Sequence, residues 1–413
     1  MKSSYLQNRT LYPPLINIEP NKKLSVIIII PAFNEPDLKL TLNSLLQNDP
    51  TAIVEVIICV NYAENTSDAV KKTSKAQHNK LVAWSKGINT EKISFHPILL
   101  KNLPNKKAGV GYARKVAMDE AAYRFQLINN KKGVIVNLDA DCLVSENYVN
   151  AISTFFNVNE NCKAANIYYE HIADNESPLS EGIILYELHL RYIVEALKYC
   201  KYPYAYHTVG SSFCVNTMVY QQQGGMNLRK AGEDFYFLHK VFPLGYFGEI
   251  ADAVVYPSSR SSDRVPFGTG KSIADWQNQK RDLNYSYNLK IFEIVKTLFK
   301  NPMMFYEEEN YKTVVPETLS SFLATQNFEE VLSEIKNNTN GADAFVKRYY
   351  RYWSGFKLWK LIHYLRDNYF ENTLLMNSCS DILNFNGIST INTSFEMLTI
   401  FRAVQKKASY HKI

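Results

Sequence analysis

Two aspartates one residue apart, Asp139 and Asp141, close the apolar run Val134-Ile135-Val136-Asn137-Leu138. If the two-residue period of a strand persists to its end, both side chains point the same way. Carboxylates that converge repel each other unless a positive group lies between them. A hard divalent cation that carries a substrate's phosphates meets that need, because Mg²⁺ takes one or two carboxylates together with phosphate oxygens. The plainer alternative is a turn or a helix cap. A second acidic pair, Glu233-Asp234, follows Gly232. Its plain role is to stabilise a helix N-terminus against the macrodipole.

These residues need elements to hold them. Gly133 and the β-branched run after it read as a strand buried on both faces of a parallel sheet. Ligands of open α/β sheets lie outside the carboxyl ends of such strands. Residues 24–30 form a first buried strand that Pro31 stops, and a helix bearing Leu38, Leu42, Leu45 and Leu46 follows the loop 32–36. Further strands are expected at 54–60 and within 93–100, with helices from Asp68 and over 113–124. This alternation predicts an α/β fold, a doubly wound and mainly parallel sheet flanked by helices. Residues 180–200 read as helical, and 257–270 shift to Pro, Ser, Gly and Arg, the composition of a long loop. From 272 onward the chain is aromatic-rich and helical. The expected division is an N-terminal extension (1–23), an α/β domain (24–271) and a helical C-terminal region (272–413).

The composition is that of a folded chain, with 46% hydrophobic and 21% charged residues in 413. A net charge of +6 permits an anionic ligand and does not call for nucleic acid. Cysteines 59, 142, 162, 200, 214 and 379 are scattered without CxxC pairs, which argues for packed, reduced thiols and against zinc. No targeting segment is visible in residues 1–23, so the expected location is cytoplasmic. Two phosphate-loop look-alikes fail on their glycines. Arg114 stands where a dinucleotide fingerprint needs its third glycine, and Val265 where a P-loop needs its first.

The ordered set Pro31-Ala32-Phe33-Asn34-Glu35, Lys106-Lys107…Arg114-Lys115, Asp139-Ala140-Asp141, Gly210-Ser211-Ser212-Phe213 to Gly225-Met226, and Gly232-Glu233-Asp234 resembles the family 2 glycosyltransferases, over roughly residues 24–260. The resemblance implies a GT-A-like, nucleotide-sugar-dependent, inverting enzyme, with Asp139-Ala140-Asp141 as the DxD motif. It implies that Asp141 coordinates Mg²⁺ or Mn²⁺, and that Asp139 contacts the ribose or shares the metal through water. Asn34 and Glu35 contact the nucleoside, and Arg114 faces the diphosphate as a guanidinium fork. Asp234 is the general base that deprotonates the acceptor hydroxyl, with Glu233 as the fallback. UDP is the family's usual donor nucleotide, and the acceptor is a saccharide or a lipid-linked saccharide.

Two positions depart from the family pattern. Asn61 stands where many members carry an aspartate for the base, and no histidine follows the strand ending near Tyr256. The loop 258–271, with Arg260, Arg264 and Lys271, is expected to supply cations to the diphosphate as a lid. In residues 345–370, aromatic and aliphatic positions alternate with Lys and Arg, a pattern shared by a core-facing helix and by a basic helix that contacts an anionic membrane from the cytoplasmic face. The rival functions are a nucleotidyltransferase and a non-catalytic nucleotide-sugar-binding subunit.

Overall fold

The computed structural model describes residues 3–172, 180–262, 268–308, 310–388 and 393–406. The chain divides into two compact units, one of Met1–Ala173, Thr208–Lys271 and Gln405–Ile413, the other of Asp174–His207 and Ser272–Val404. In chain order the elements begin with α1 (Ser4–Asn8), β1 (Leu24–Ala32), α2 (Leu38–Leu46), β2 (Ile53–Ala63), α3 (Asp68–Ile88) and β3 (Ile93–Leu103). They continue with α4 (Val110–Leu127), β4 (Val134–Asn137), β5 (Leu143–Val144), α5 (Tyr148–Val158) and β6 (Ala164–Tyr169). Helix α6 (Ser180–Tyr199) lies in the second unit, and the chain then returns to the first through β7 (Phe213–Asn216), α7 (Thr217–Gln222), α8 (Glu233–Val241) and β8 (Phe247–Tyr256).

One eight-stranded sheet organises the first unit, in the order β3-β2-β1-β4-β7-β6-β8-β5. The run β3-β2-β1-β4 is parallel, as the β-branched runs and intervening helices require, and β6 is parallel to β8. Strand β7 is antiparallel to both β4 and β6. Two reversals restore the direction, so β6 and β8 end at the same edge as β1, β2 and β4. The amino end of β7, preceded by Gly210, meets that edge too. The topology therefore delivers Asn34, Asp139, Gly210 and Arg260 to one rim, the place where open α/β sheets bind ligands.

Strand β1 runs through Pro31 instead of stopping there, and Pro31 still pairs in register with Cys59. The reason is directional. Ile29 O accepts from Leu138 N at 3.1 Å, so Ile29, and Pro31 two residues on, turn their polar edge toward β4. Pairing with β4 ends at Ile29↔Asn137, and the N–H that proline lacks has no partner to miss.

Residues 3–20 form a strap along α4, whose charges all turn inward. Tyr5 and Tyr220 both donate to Asp119 Oδ1 at 2.6 Å, and Lys115 Nζ donates to Tyr5 Oη at 2.8 Å. Glu120 accepts from Leu15 N and Ile16 N at 2.8 and 3.2 Å. Arg124, fully buried, donates to Ile18 O at 2.8 Å and through Nη2 and Nε to the two oxygens of Glu55 on β2. Gly225, at φ +72°, passes so close that a Cβ there would lie 1.8 Å from Tyr5 Oη.

In the second unit, Glu187 sits fully buried in α6 and is held by Arg191 and Arg402 at 2.7 Å each. Residues 345–370 are two helices, Ala342–Tyr352 and Gly355–Asn368. Phe345, Tyr349, Trp353, Leu358, Leu361, Ile362 and Leu365 of this stretch are buried core. Phe356 and Tyr369 remain exposed. Among the described residues no helix is long and apolar enough to cross a membrane. All six cysteines are free and buried.

The Arg124–Glu55 pair sets a stability test. Removing one partner of a buried pair strands the other charge, at a cost of about 3–5 kcal/mol. Arg124→Ala is expected to lower the unfolding free energy by that amount in urea titrations, and Arg124→Met combined with Glu55→Leu to lose much less. Equal losses in the two variants would mean that the ion pair is not what matters at this position.

Candidate active site

Each segment at the rim is turned toward it by local chemistry. After β1, Asn34 adopts a left-handed φ of +46°, a conformation asparagine tolerates well. The turn sends Glu35 inward to 4% exposure, where its Oε1 accepts from Asp37 N at 3.1 Å and its carbonyl from Gln77 Nε2 at 3.0 Å. After β4, Cys142 N donates to Asp139 O at 3.2 Å and Thr41 Oγ1 to Ala140 O at 2.8 Å, which fixes the turn carrying both aspartates. Asp139 and Asp141 are both partly exposed, with side-chain accessibilities of 38% and 31%.

Arg114, on the first turns of α4, is the hub. It is 2% exposed and its Nη2 donates to Asp139 Oδ1 at 2.5 Å, while Nη1 donates to Glu233 Oε1. Helix α8 starts from the left-handed Gly232, φ +71°, with Glu233 and Asp234 in its first turn. Asp234 Oδ1 accepts from Phe235 N at 2.7 Å. Gly111 lets α4 approach the chain before α8, since a Cβ there would stand 2.3 Å from Arg229 O. A Cβ on Gly210 would lie 2.7 Å from Arg114 Nη1 and 2.8 Å from Asp234 Oδ2. Asp139 and the Glu233-Asp234 pair thus converge on one guanidinium.

Burial, reinforced by the charge of Glu233 and opposed by Arg114, lifts Asp234 from the ordinary 3.8 to about 7. Glu233 is also raised, by burial first. A carboxyl with this shift holds its proton in the folded state at a pH where the unfolded chain has lost it. Its contribution to stability is therefore full below the ordinary value and is lost as pH rises toward 7.

The remaining expected site residues fall as follows. Arg260, just beyond β8, reaches back to the rim, where its Nη2 donates to Glu35 Oε1 and Oε2 at 2.8 and 2.9 Å and its Nη1 to Asp37 Oδ2 at 2.6 Å. Asn61 is 6% exposed, and its Nδ2 donates to Ala32 O at 3.0 Å and Cys59 O at 3.3 Å, which ties the end of β2 to that of β1. Arg114 meets carboxylates in the interior rather than an open fork site. Arg264 lies outside the described residues. The sequence reading missed Asp37, and it named Gly210 as the start of the Gly210–Phe213 segment without its closeness to Arg114 and Asp234. Asp37 sits two residues after Glu35, a spacing of two acids around Pro36 that could have drawn attention to it; Gly210 carries no local signal of its role.

Among the described residues no three His, Cys, Asp or Glu side chains are grouped as a metal cage. The donor set instead suits a cation that brings most of its own ligands. Asp141 offers one hard carboxylate, and a cation, the Arg260 guanidinium, already stands 3.9 Å from its Oδ2. Asp139 is engaged by Arg114 and is the weaker candidate.

The rim of this largely parallel α/β sheet thus gathers two acidic pairs and two guanidiniums. Residues 27–220 match the Glycosyl transferase family 2 model, so this stretch of the chain carries a glycosyltransferase domain of that description. Comparison with the curated proteins finds no match. Among solved structures, S. aureus TarS 1-349 in complex with UDP-GlcNAc is 15% identical at a TM-score of 0.41, covering 88% of this chain and 93% of that one. The Pyrobaculum calidifontis mannosyltransferase PcManGT, in complex with GDP-Man and Mn²⁺, is 12% identical at a TM-score of 0.36, covering 97% and 91%.

The close approach at Gly210 gives a direct test. A methyl group there presses on the tips of Arg114 and Asp234, which can shift where backbone could not. Gly210→Ala is expected to fold with a loss of about 1–3 kcal/mol, as for an overpacked site, and to lower sugar transfer by about tenfold or more through the displaced acid. Full transfer in that variant would show that the placement of Asp234 is immaterial.

Proposed function

We propose that this enzyme moves a sugar from a nucleoside-diphosphate donor to a hydroxyl acceptor with inversion, by one direct displacement, and that Asp234 is its general base. The observation that carries this reading is the convergence of Asp139 and the Glu233-Asp234 pair on Arg114, because it brings the acid of the donor side to the acid of the acceptor side. Burial and the neighbouring Glu233 keep Asp234 basic enough to accept a proton near neutrality.

The acceptor oxygen forms its bond to the anomeric carbon as its proton passes to Asp234. The bond from that carbon to the phosphate oxygen breaks, and its electron pair leaves with the nucleoside diphosphate. Arg114 holds Glu233 and Asp139 in place and offsets the charge that accumulates between them. A bound Mg²⁺ or Mn²⁺, held by Asp141 with the donor's phosphate oxygens, would supply Lewis-acid stabilisation of the leaving group. Glu35 and Asn34 line the end of β1, on the nucleoside side of this arrangement. UDP is the nucleotide we propose, as the usual one in the family, with a saccharide or lipid-linked saccharide as acceptor.

Asp234→Asn separates binding from chemistry. It keeps the shape of the side chain and removes the proton acceptor, so affinity for UDP should hold while transfer falls by ~10²-fold or more. Near-normal turnover in this variant would move the base to Glu233 or elsewhere.

A further inference from the structure

Three carboxylates from two segments share one cation at the rim. Arg260 binds Glu35 through both oxygens and Asp37 through one, and its Nη2 stands 3.9 Å from Asp141 Oδ2. Glu35 is buried, whereas the side chains of Asp37, Asp141 and Arg260 are 42%, 31% and 32% exposed. The guanidinium therefore reaches from an interior anchor to two acids that solvent also reaches. The backbone before it is fastened, since Ser259 Oγ donates to Ile172 O at 3.3 Å and Arg260 N to Ser258 Oγ at 3.2 Å. The side chain can swing between partners on a fixed base.

A divalent ion at Asp141 would stand within a few ångströms of this positive charge, at a depth where screening by salt is weak. The two cations compete for the same carboxylate. We infer that Arg260 is an exchangeable counter-cation: it offsets part of the charge of Glu35, Asp37 and Asp141 until the donor arrives, then yields Asp141 to the metal that the diphosphate brings. Metal binding is thereby made conditional on the nucleotide, because only the diphosphate's added negative charge and oxygens outbid the guanidinium. Glu35, which is buried and doubly bonded to Arg260, keeps the arginine in the site after the exchange. The inference rests on the assignment of Asp141 as the protein's metal ligand.

The test reads metal binding without turnover. The full chain is titrated with Mn²⁺ and free Mn²⁺ is followed by electron paramagnetic resonance, with and without UDP. Without UDP, Arg260→Gln is expected to bind Mn²⁺ about tenfold more tightly than the wild type, from removal of one nearby unit charge. With saturating UDP the gap should narrow. Arg260→Lys keeps the charge and should stay close to the wild type, and Arg260→Met, which keeps the length, should repeat the gain seen with glutamine. Equal Mn²⁺ affinity of the wild type and both neutral variants without UDP overturns the inference, provided that Asp141→Asn weakens Mn²⁺ binding in UDP. If Asp141→Asn binds Mn²⁺ normally in UDP, the metal assignment itself is wrong and the exchange falls with it.

Discussion

The buried guanidinium of Arg114 is the constraint on which the site depends. A positive charge at 2% exposure is tolerable only with partners of opposite sign, and it has Asp139 and Glu233. The dependence runs both ways. Glu233 is itself buried, and Asp234 beside it is lifted to about 7 by burial and by Glu233. Without Arg114 these acids would repel one another and take up protons further. One residue thus fixes the separation of the two acidic pairs and tunes the protonation of the second.

The backbone makes this meeting possible. Strand β7 runs against β4 and β6, so the segment leading into it arrives at the edge where the parallel strands leave. Gly210 lies on that segment, and its missing side chain is the space into which Arg114 and Asp234 reach. Helix α4 is pinned from the other side by the strap of residues 3–20, through Tyr5, Leu15, Ile16 and Ile18. The same helix therefore carries the N-terminal strap along its length and the Arg114 hub near its start.

Much of this was legible in the sequence, for physical reasons. The β-branched runs of β1, β2 and β4 allow little besides buried parallel strands, and the two aspartates after β4 lie at the carboxyl edge of the sheet, as their place in the sequence implies. Glu233-Asp234 after a glycine marks a helix start, and α8 begins there. The partners of Arg114 were not legible. Its charges in α4 resemble a solvated face, and its contacts lie 25 and 119 residues away, a distance that local pattern does not encode. The same is true of Arg260, whose bonds to Glu35 and Asp37 span more than half of the chain. The inward turn of the 345–370 stripe is a matter of burial, and periodicity is the same for a core face and a membrane face. Pro31 was read as a strand end because the position of its missing donor depends on where the neighbouring strand stops.

The central claim is that burial and neighbouring charge hold Asp234 as the base of the transfer reaction. The most direct measurement is the pH dependence of kcat/KM for the wild-type enzyme, which reports the ionisation of the free enzyme's essential groups. With Asp234 lifted to about 7, the rate should fall as pH drops through that value, because the protonated carboxyl cannot accept the acceptor's proton. A rate that stays flat down to about pH 5, where a perturbed acid of this kind would be protonated, would contradict the account.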